Sequence, residues 1–250
     1  MKKRPYILSI AGFDPSGGAG VLADIKTFEA SKCQGISVIT ANTIQTDVDF
    51  FDCIWTDLEL VKKQTEVLFK RFPIEIVKIG IVESWKMLEE LIELMCSFNP
   101  NIKIVLDPVL KSSTNYDFQH NFDEETFLKV LEKIYMLTPN YIEIQALFPD
   151  KDIETTIKSI QAKTNLFLKG GHNETLIGKD YLYTKEGKIY TMNPKLKPIY
   201  PKHGSGCVLS SAIAAQLALG FPLLKSCFRA KRFTEKYLGS SKELLGSFRK

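Results

Sequence analysis

The sequence predicts an α/β fold in three layers, with a mostly parallel central sheet and helices on both of its faces. Three observations predict it. Short β-branched runs alternate with segments of helical periodicity almost from end to end of the chain. The residues Gly12, Gly80, Asp107, Asn140 and Gly170 each stand just after a predicted strand, where such a sheet turns into its crossover connections. The length of 250 residues suits one sizeable domain spanning 1–250, with no internal repeat, low-complexity stretch or linker to divide it.

Taken in order, residues 6–11 read as the first strand, and 21–31 follow with Leu22, Ile25 and Phe28 at helical spacing. A second strand is expected over 36–41 and a helix over 58–69. Residues 74–79 read as a strand, 85–98 as an amphipathic helix, and 103–106 as a fully apolar core strand ending at Asp107-Pro108. Strands over 134–138 and 166–169 repeat the pattern with helices between them. Segments 181–184 and 188–192 flank Glu186-Gly187 and read as a hairpin on the sheet edge. The small apolar run 208–219 reads as a buried helix.

Composition excludes several classes of function. Hydrophobic residues make up 44% of the chain and charged residues 25%, and the net charge of +4 is spread out, so neither nucleic-acid binding nor a membrane partner is expected. No run approaches the roughly 18 apolar residues of a membrane span. The five cysteines form no C-x-x-C pair and read as reduced thiols of a cytoplasmic protein. With only three histidines, none at ligand spacing to a cysteine, a structural zinc site is not expected.

The most informative segment is His203-Gly204-Ser205-Gly206-Cys207, which runs directly into the predicted buried helix. Its glycines permit a tight turn, so several free N–H groups should converge at the first turn, where a helix carries roughly +0.5 of an elementary charge. Such a site holds an anion, and it should lower the pKa of Cys207. The bland alternative is a glycine-rich loop before a core helix.

Gly12-Phe13-Asp14-Pro15-Ser16-Gly17-Gly18-Ala19-Gly20 is a second glycine-rich turn, with Asp24 one helical turn further on to accept from an amino group. Its match to G-x-G-x-x-A comes too late after the strand for a dinucleotide fingerprint, and no Walker loop occurs anywhere. Asn140 and Glu143 lie three apart at a helix start, where they suit either a hydrated Mg²⁺ or a capping box, which the spacing alone favours. Lys169-Gly170-Gly171-His172 closes a strand in a manner suited to nucleotide phosphates, or merely to a turn. Asp107 ends a buried strand, so its carboxylate must be paired or face the rim. In open parallel sheets ligands bind beyond the carboxyl ends of the strands, so these distant residues should share one rim.

In this order, the segments resemble the hydroxymethylpyrimidine/phosphomethylpyrimidine kinases of thiamine biosynthesis, within the ribokinase-like superfamily. The likeness rests on Ala11-Gly12 with residues 14–20, Ala23-Asp24-Ile25-Lys26-Thr27-Phe28, Ser37-Val38-Ile39-Thr40-Ala41 and Lys78-Ile79-Gly80. It continues through Asp107-Pro108-Val109, Thr138-Pro139-Asn140 with Glu143, Lys169-Gly170-Gly171-His172 and the segment 203–207.

The resemblance implies an ATP- and Mg²⁺-dependent phosphotransferase acting on a small pyrimidine, with a homodimer as its usual assembly. Gly12, Asp24, Gln45, Ile81 and Val109 would meet the pyrimidine, Gln45 reading a ring nitrogen and the exocyclic amine. Gly204, Ser205, Gly206 and Cys207 would form the anion hole, the thiol deprotonating or aligning the hydroxymethyl group. Asn140 and Glu143 would hold Mg²⁺ through water, and Asp107, Lys169, Gly170, Gly171 and His172 would line the ATP site. Lys111 is a further candidate for a phosphate contact, and a lid is expected over 46–55. Two other readings stand beside this one: a pyridoxal or pyridoxine kinase on the same scaffold, and a non-catalytic pyrimidine-binding protein.

Overall fold

The computed structural model describes residues 3–110, 123–171 and 178–248. The strands form one nine-stranded sheet. They are β1 (Tyr6–Phe13), β2 (Gln34–Gln45), β3 (Phe50–Trp55), β4 (Ile74–Ile79), β5 (Lys103–Leu106), β6 (Met136–Leu137), β7 (Asn165–Leu168), β8 (Asp180–Tyr183) and β9 (Ile189–Met192). Their order across the sheet is β3-β2-β1-β4-β5-β6-β7-β8-β9. The six from β2 to β7 in that order run parallel, while β3 pairs antiparallel at one edge and antiparallel β7–β8 and β8–β9 pairings complete the other. The chain therefore reverses its direction of travel across the sheet at β1, which pairs with β2 on one side and β4 on the other. Open sheets leave a crevice at such a point.

Period-two alternation distributes the strand side chains between two cores. Leu8, Ile10, Val77, Ile79, Ile104, Leu106, Leu137, Leu166 and Leu168 face one core. That core is completed by α2 (Leu58–Arg71), α3 (Trp85–Phe98), α4 (Glu124–Lys133), α5 (Tyr141–Leu147) and α6 (Ile153–Gln161). Ile7, Ile76, Val105, Met136 and Phe167 face the other core, under α1 (Gly20–Ala30), α7 (Ser205–Ala218) and α8 (Leu223–Leu238). Helix α7 is buried along almost its whole length, which explains its run of small apolar residues. Amphipathic α3 begins where the Ser84 side chain accepts from the N–H of Met87.

Two elements exceed the sequence reading. The second strand runs to Gln45 and folds back into β3 as an antiparallel edge hairpin, placing the segment expected as a lid within the sheet. Helix α8 has no counterpart among the elements expected from sequence. Its exposed face carries Lys225, Arg229 and Lys236, while Cys227, Ala230 and Tyr237 are buried toward α7 and its neighbours.

Candidate active site

A cleft of about 620 Å³ opens at the carboxyl ends of the strands, spanning the β1/β4 reversal and reaching the first turn of α7. Gly12, Gln45, Ile81, Val109, Asp107, Asn140, Glu143, Lys169, Gly171, Gly204, Ser205, Gly206 and Cys207 all line it. Residues from one end of the sequence to the other thus meet on one rim.

Close backbone approach brings the two glycine-rich loops together. Gly204 caps α7 with φ 68° and ψ 17°, and a Cβ there would lie 2.0 Å from the carbonyl oxygen of Gly18. Only glycine satisfies both constraints. The Asp14 carboxylate organises the amino-terminal loop by accepting from the N–H groups of Ser16 (2.8 Å), Gly18 (3.1 Å) and Ala19 (2.8 Å) and from the Ser16 hydroxyl (2.9 Å). His203 Nε2 lies 2.9 Å from the same carboxylate, fastening one loop to the other. Burial alone would raise the Asp14 pKa, but these bonds from His203, Ser16 and Ala19 hold it below the ordinary carboxylate value. Sequence reasoning places Asp14 and His203 within motifs and gives neither this role.

Beneath the loops lies a buried charge network. Lys78 and Asp24 are both fully buried, with Nζ 3.0 Å from Oδ2. Ser9 and Ser211 each donate to Asp24 at 2.6 Å, so both carboxylate oxygens are engaged. Asp24 consequently does not stand on the cleft wall, and its expected contact with a pyrimidine amino group is corrected: α1 turns it inward, where Lys78 needs a counter-charge. The signal was a lysine in strand β4, whose remaining residues apart from exposed Glu75 are apolar and buried.

Asp107 is likewise buried. It accepts from Lys169 Nζ at 2.8 Å, from Ser210 at 3.0 Å and from Thr138 at 3.3 Å. Burial opposes its ionisation, yet Lys169 and Lys78 bring its pKa below the usual carboxylate value. Both lysines are held above the usual ammonium range, because Asp24 beside Lys78 and Asp107 beside Lys169 outweigh the cost of burial. Lys169 Nζ also lies 3.3 Å from where a Gly206 side chain would begin, next to the first turn of α7.

Cys207 departs from expectation. Burial pushes its thiol up to about 11, and the nearby Asp107 and Asp24 carboxylates add to that, outweighing Lys78 and the N–H of Gly20. The helix terminus therefore does not produce a low-pKa thiolate; the thiol is protonated at neutral pH.

At the next part of the rim, Asn140 and Glu143 form the capping box of α5. Asn140 Oδ1 accepts from the N–H groups of Ile142 (2.8 Å) and Glu143 (2.9 Å), and Glu143 Oε2 accepts from the N–H of Asn140 at 2.7 Å. Oε2 also lies 3.5 Å from Lys169. Burial raises the Glu143 pKa, and Lys169 does not fully offset that against the neighbouring Asp107. Gly170 is corrected too. Its N–H donates to Asp180 at 2.8 Å and its carbonyl accepts from Gly178 at 3.0 Å, so it packs on β8 and does not line the cleft. His172 and Lys111 lie outside the described residues. At the opposite end, Gln45 donates to Thr43 at 2.8 Å and shares the wall with Phe50, Ile81 and Val109.

Comparison with known proteins places this geometry in a wider set. The sequence profile described as phosphomethylpyrimidine kinase matches residues 14–247. The hydroxymethylpyrimidine/phosphomethylpyrimidine kinase of Aquifex aeolicus (strain VF5) is 35% identical over 249 residues, covering 95% of each chain. A phosphomethylpyrimidine kinase from Clostridium difficile 630 superposes with a TM-score of 0.76 at 31% identity, over 94% of this chain and 98% of the other. A Staphylococcus aureus pyridoxal kinase in complex with pyridoxal gives 0.81 at 25% identity, over 95% and 88%.

Proposed function

The chain belongs to the phosphomethylpyrimidine kinase family, and from that premise we propose that it phosphorylates 4-amino-5-hydroxymethyl-2-methylpyrimidine and then its monophosphate, using ATP. The observation that carries this reading is the meeting of the α7 first turn with the amino-terminal glycine loop and two buried lysines in one cleft. In the first step the hydroxymethyl oxygen attacks the γ-phosphorus, the bond to the bridging oxygen breaks, ADP leaves, and the hydroxyl proton passes to a phosphate oxygen or water. The second step repeats this with a phosphate oxygen of the monophosphate as nucleophile.

The chain's own groups have distinct tasks. First-turn N–H groups at Gly206 and Cys207 hold the negative charge of the group in transfer, joined by that of Ser205 once its long 3.4 Å bond to the Lys202 carbonyl is exchanged, and Lys169 adds a fixed positive charge beside them. Phosphoryl transfer of this kind proceeds through a loose transition state, so the attacking hydroxyl needs little deprotonation beforehand. A protonated Cys207 fits that demand by aligning the hydroxyl. Gln45 reads the aminopyrimidine edge, with Gly12 allowing the ring to approach the backbone and Ile81 and Val109 as its wall. Gly171, with Asp107 holding Lys169, completes the nucleotide side.

Asn140 and Glu143 would hold a Mg²⁺ ion on this side of the cleft, where it would supply charge neutralisation for the phosphates. Asn140 Oδ1 is committed to the cap, and Glu143 retains only Oε1 for the cleft, which fits a cation held through water and not one ligated directly. On the same reading the protein acts in the cytoplasm as a homodimer. The exposed apolar side chains of Ile44, Phe51 and Ile54 on the β2–β3 hairpin support a partner surface, which light scattering tests.

Mass spectrometry of the products formed from hydroxymethylpyrimidine and ATP tests substrate and step count together: the monophosphate followed by the diphosphate is expected, and no phosphorylated pyrimidine overturns the reading. Pyridoxal phosphorylation is the second reading, favoured by the backbone likeness to the staphylococcal pyridoxal kinase. Competition between the two substrates separates them, and Gln45 predicts preference for the aminopyrimidine.

A further inference from the structure

Beyond α8 the chain turns back across the loop that leads into α7, and its contacts there converge on two residues. The Lys202 ammonium donates to the carbonyl oxygens of Ser241 (2.7 Å) and Glu243. It is buried, lies 5.9 Å from the centre of the Tyr200 ring, and has no carboxylate within ion-pair distance among the described residues. A buried ammonium needs partners, and main-chain carbonyls of the returning segment supply them. The N–H of the next residue, His203, donates to the carbonyl of Leu244 at 3.0 Å. Tyr237 donates to the His203 carbonyl and accepts from the N–H of Gly246, both at 3.4 Å. Further along, Phe248 packs on Tyr237 with ring centres 4.8 Å apart. Phe248 and Cys207 rest against the same small cluster of Ala23, Val208 and Tyr237.

We propose that residues 239–248 are a strap that sets the position of the anion loop 204–207, with Lys202 as the positioning residue through which it acts. Gly204 begins one peptide unit after His203, so whatever fixes His203 fixes the direction of the N–H groups behind it. Transition-state stabilisation by such donors depends on sub-ångström placement, and a misplacement of about 1 Å costs on the order of 10²-fold in rate. The kinetic consequence rests on the phosphotransfer reading above; the mechanical one does not.

The test compares the wild-type chain with Lys202→Met, Lys202→Arg, a chain ending at Ser240, and that shortened chain carrying Lys202→Met. Steady-state rates with hydroxymethylpyrimidine and ATP are measured together with amide hydrogen exchange over 203–207. Lys202→Met and the shortened chain should each lose about 10- to 100-fold in kcat while KM for the pyrimidine stays within about threefold. Lys202→Arg, which keeps donors for both carbonyls, should recover part of the loss. Adding Lys202→Met to the shortened chain should cost nothing more, because the partner is already gone. Exchange over 203–207 should quicken by about tenfold in Lys202→Met.

A shortened chain with wild-type kcat overturns the proposal, as do additive losses or an ATP KM raised by Lys202→Met alone. If shortening prevents folding, the exchange and rescue results with Lys202→Met and Lys202→Arg decide. If the wild-type chain phosphorylates no pyrimidine, the functional reading falls while the exchange measurement still judges the strap.

Discussion

The two ends of the cleft are built differently. At the α7 end three carboxylates are each fixed by partners distant in sequence: Asp24 by Lys78 and Ser211, Asp107 by Lys169 and Ser210, Asp14 by His203. These groups are buried or nearly so, and the loops above them touch at backbone distance. At the other end Gln45 and Phe50 sit on a hairpin at the sheet edge, where Gln45 is held by its neighbour Thr43 and the flanking Ile44 and Phe51 are exposed. One end is over-determined and the other thinly supported. On the proposed function, the contrast separates donors that the chemistry needs fixed from a wall that would select the organic substrate.

Substitutions at the two ends should therefore differ in kind. Lys78→Met leaves Asp24 buried without its counter-charge, and a loss of about 3–5 kcal/mol in unfolding free energy is expected; denaturant titration would show it, and a loss under about 1 kcal/mol would mean the network is less charged than its geometry indicates. Cys207→Ala should reduce kcat by about 10²-fold while pyrimidine binding, followed by calorimetry, is largely retained.

The pH dependence sharpens the role of that thiol. With its pKa at about 11, a required thiolate would make kcat rise about tenfold per pH unit from pH 7 to 9, whereas alignment by the protonated form predicts a flat profile. We expect the flat profile, and a slope of one on a logarithmic plot would assign the base role to sulfur. At the thin end, Gln45→Ala should raise the pyrimidine KM by about tenfold with kcat and unfolding free energy nearly unchanged.

Much of this arrangement was legible in the sequence because strand ends in a parallel sheet share one rim. Gly12, Gly80, Asp107 and Asn140 needed only a correct strand assignment to be placed together. The β2–β3 hairpin was harder, since exposed Phe51 and Ile54 beside Asp52 give no half-buried alternation to read. Asp24 was misplaced for another reason: its partner Lys78 is 54 residues away, and a carboxylate on a helix gives no local sign of which way it is turned. The same limit applied to Cys207. A helix N-terminus is visible in sequence, but the two carboxylates that oppose thiolate formation reach it only through the folded sheet.

The ties that join the first helix and its loop to the seventh span nearly the whole polypeptide, with Asp24 and Ser211 separated by 187 positions and Asp14 and His203 by 189. A ribosome must therefore deliver most of the chain before these partners can meet, and contacts of such long range are slow to form. During that interval Asp24 and Lys78 remain hydrated, so charges destined for the interior help keep the unfinished chain in solution. The two glycine-rich loops therefore meet over the sheet only after residue 211 has been made.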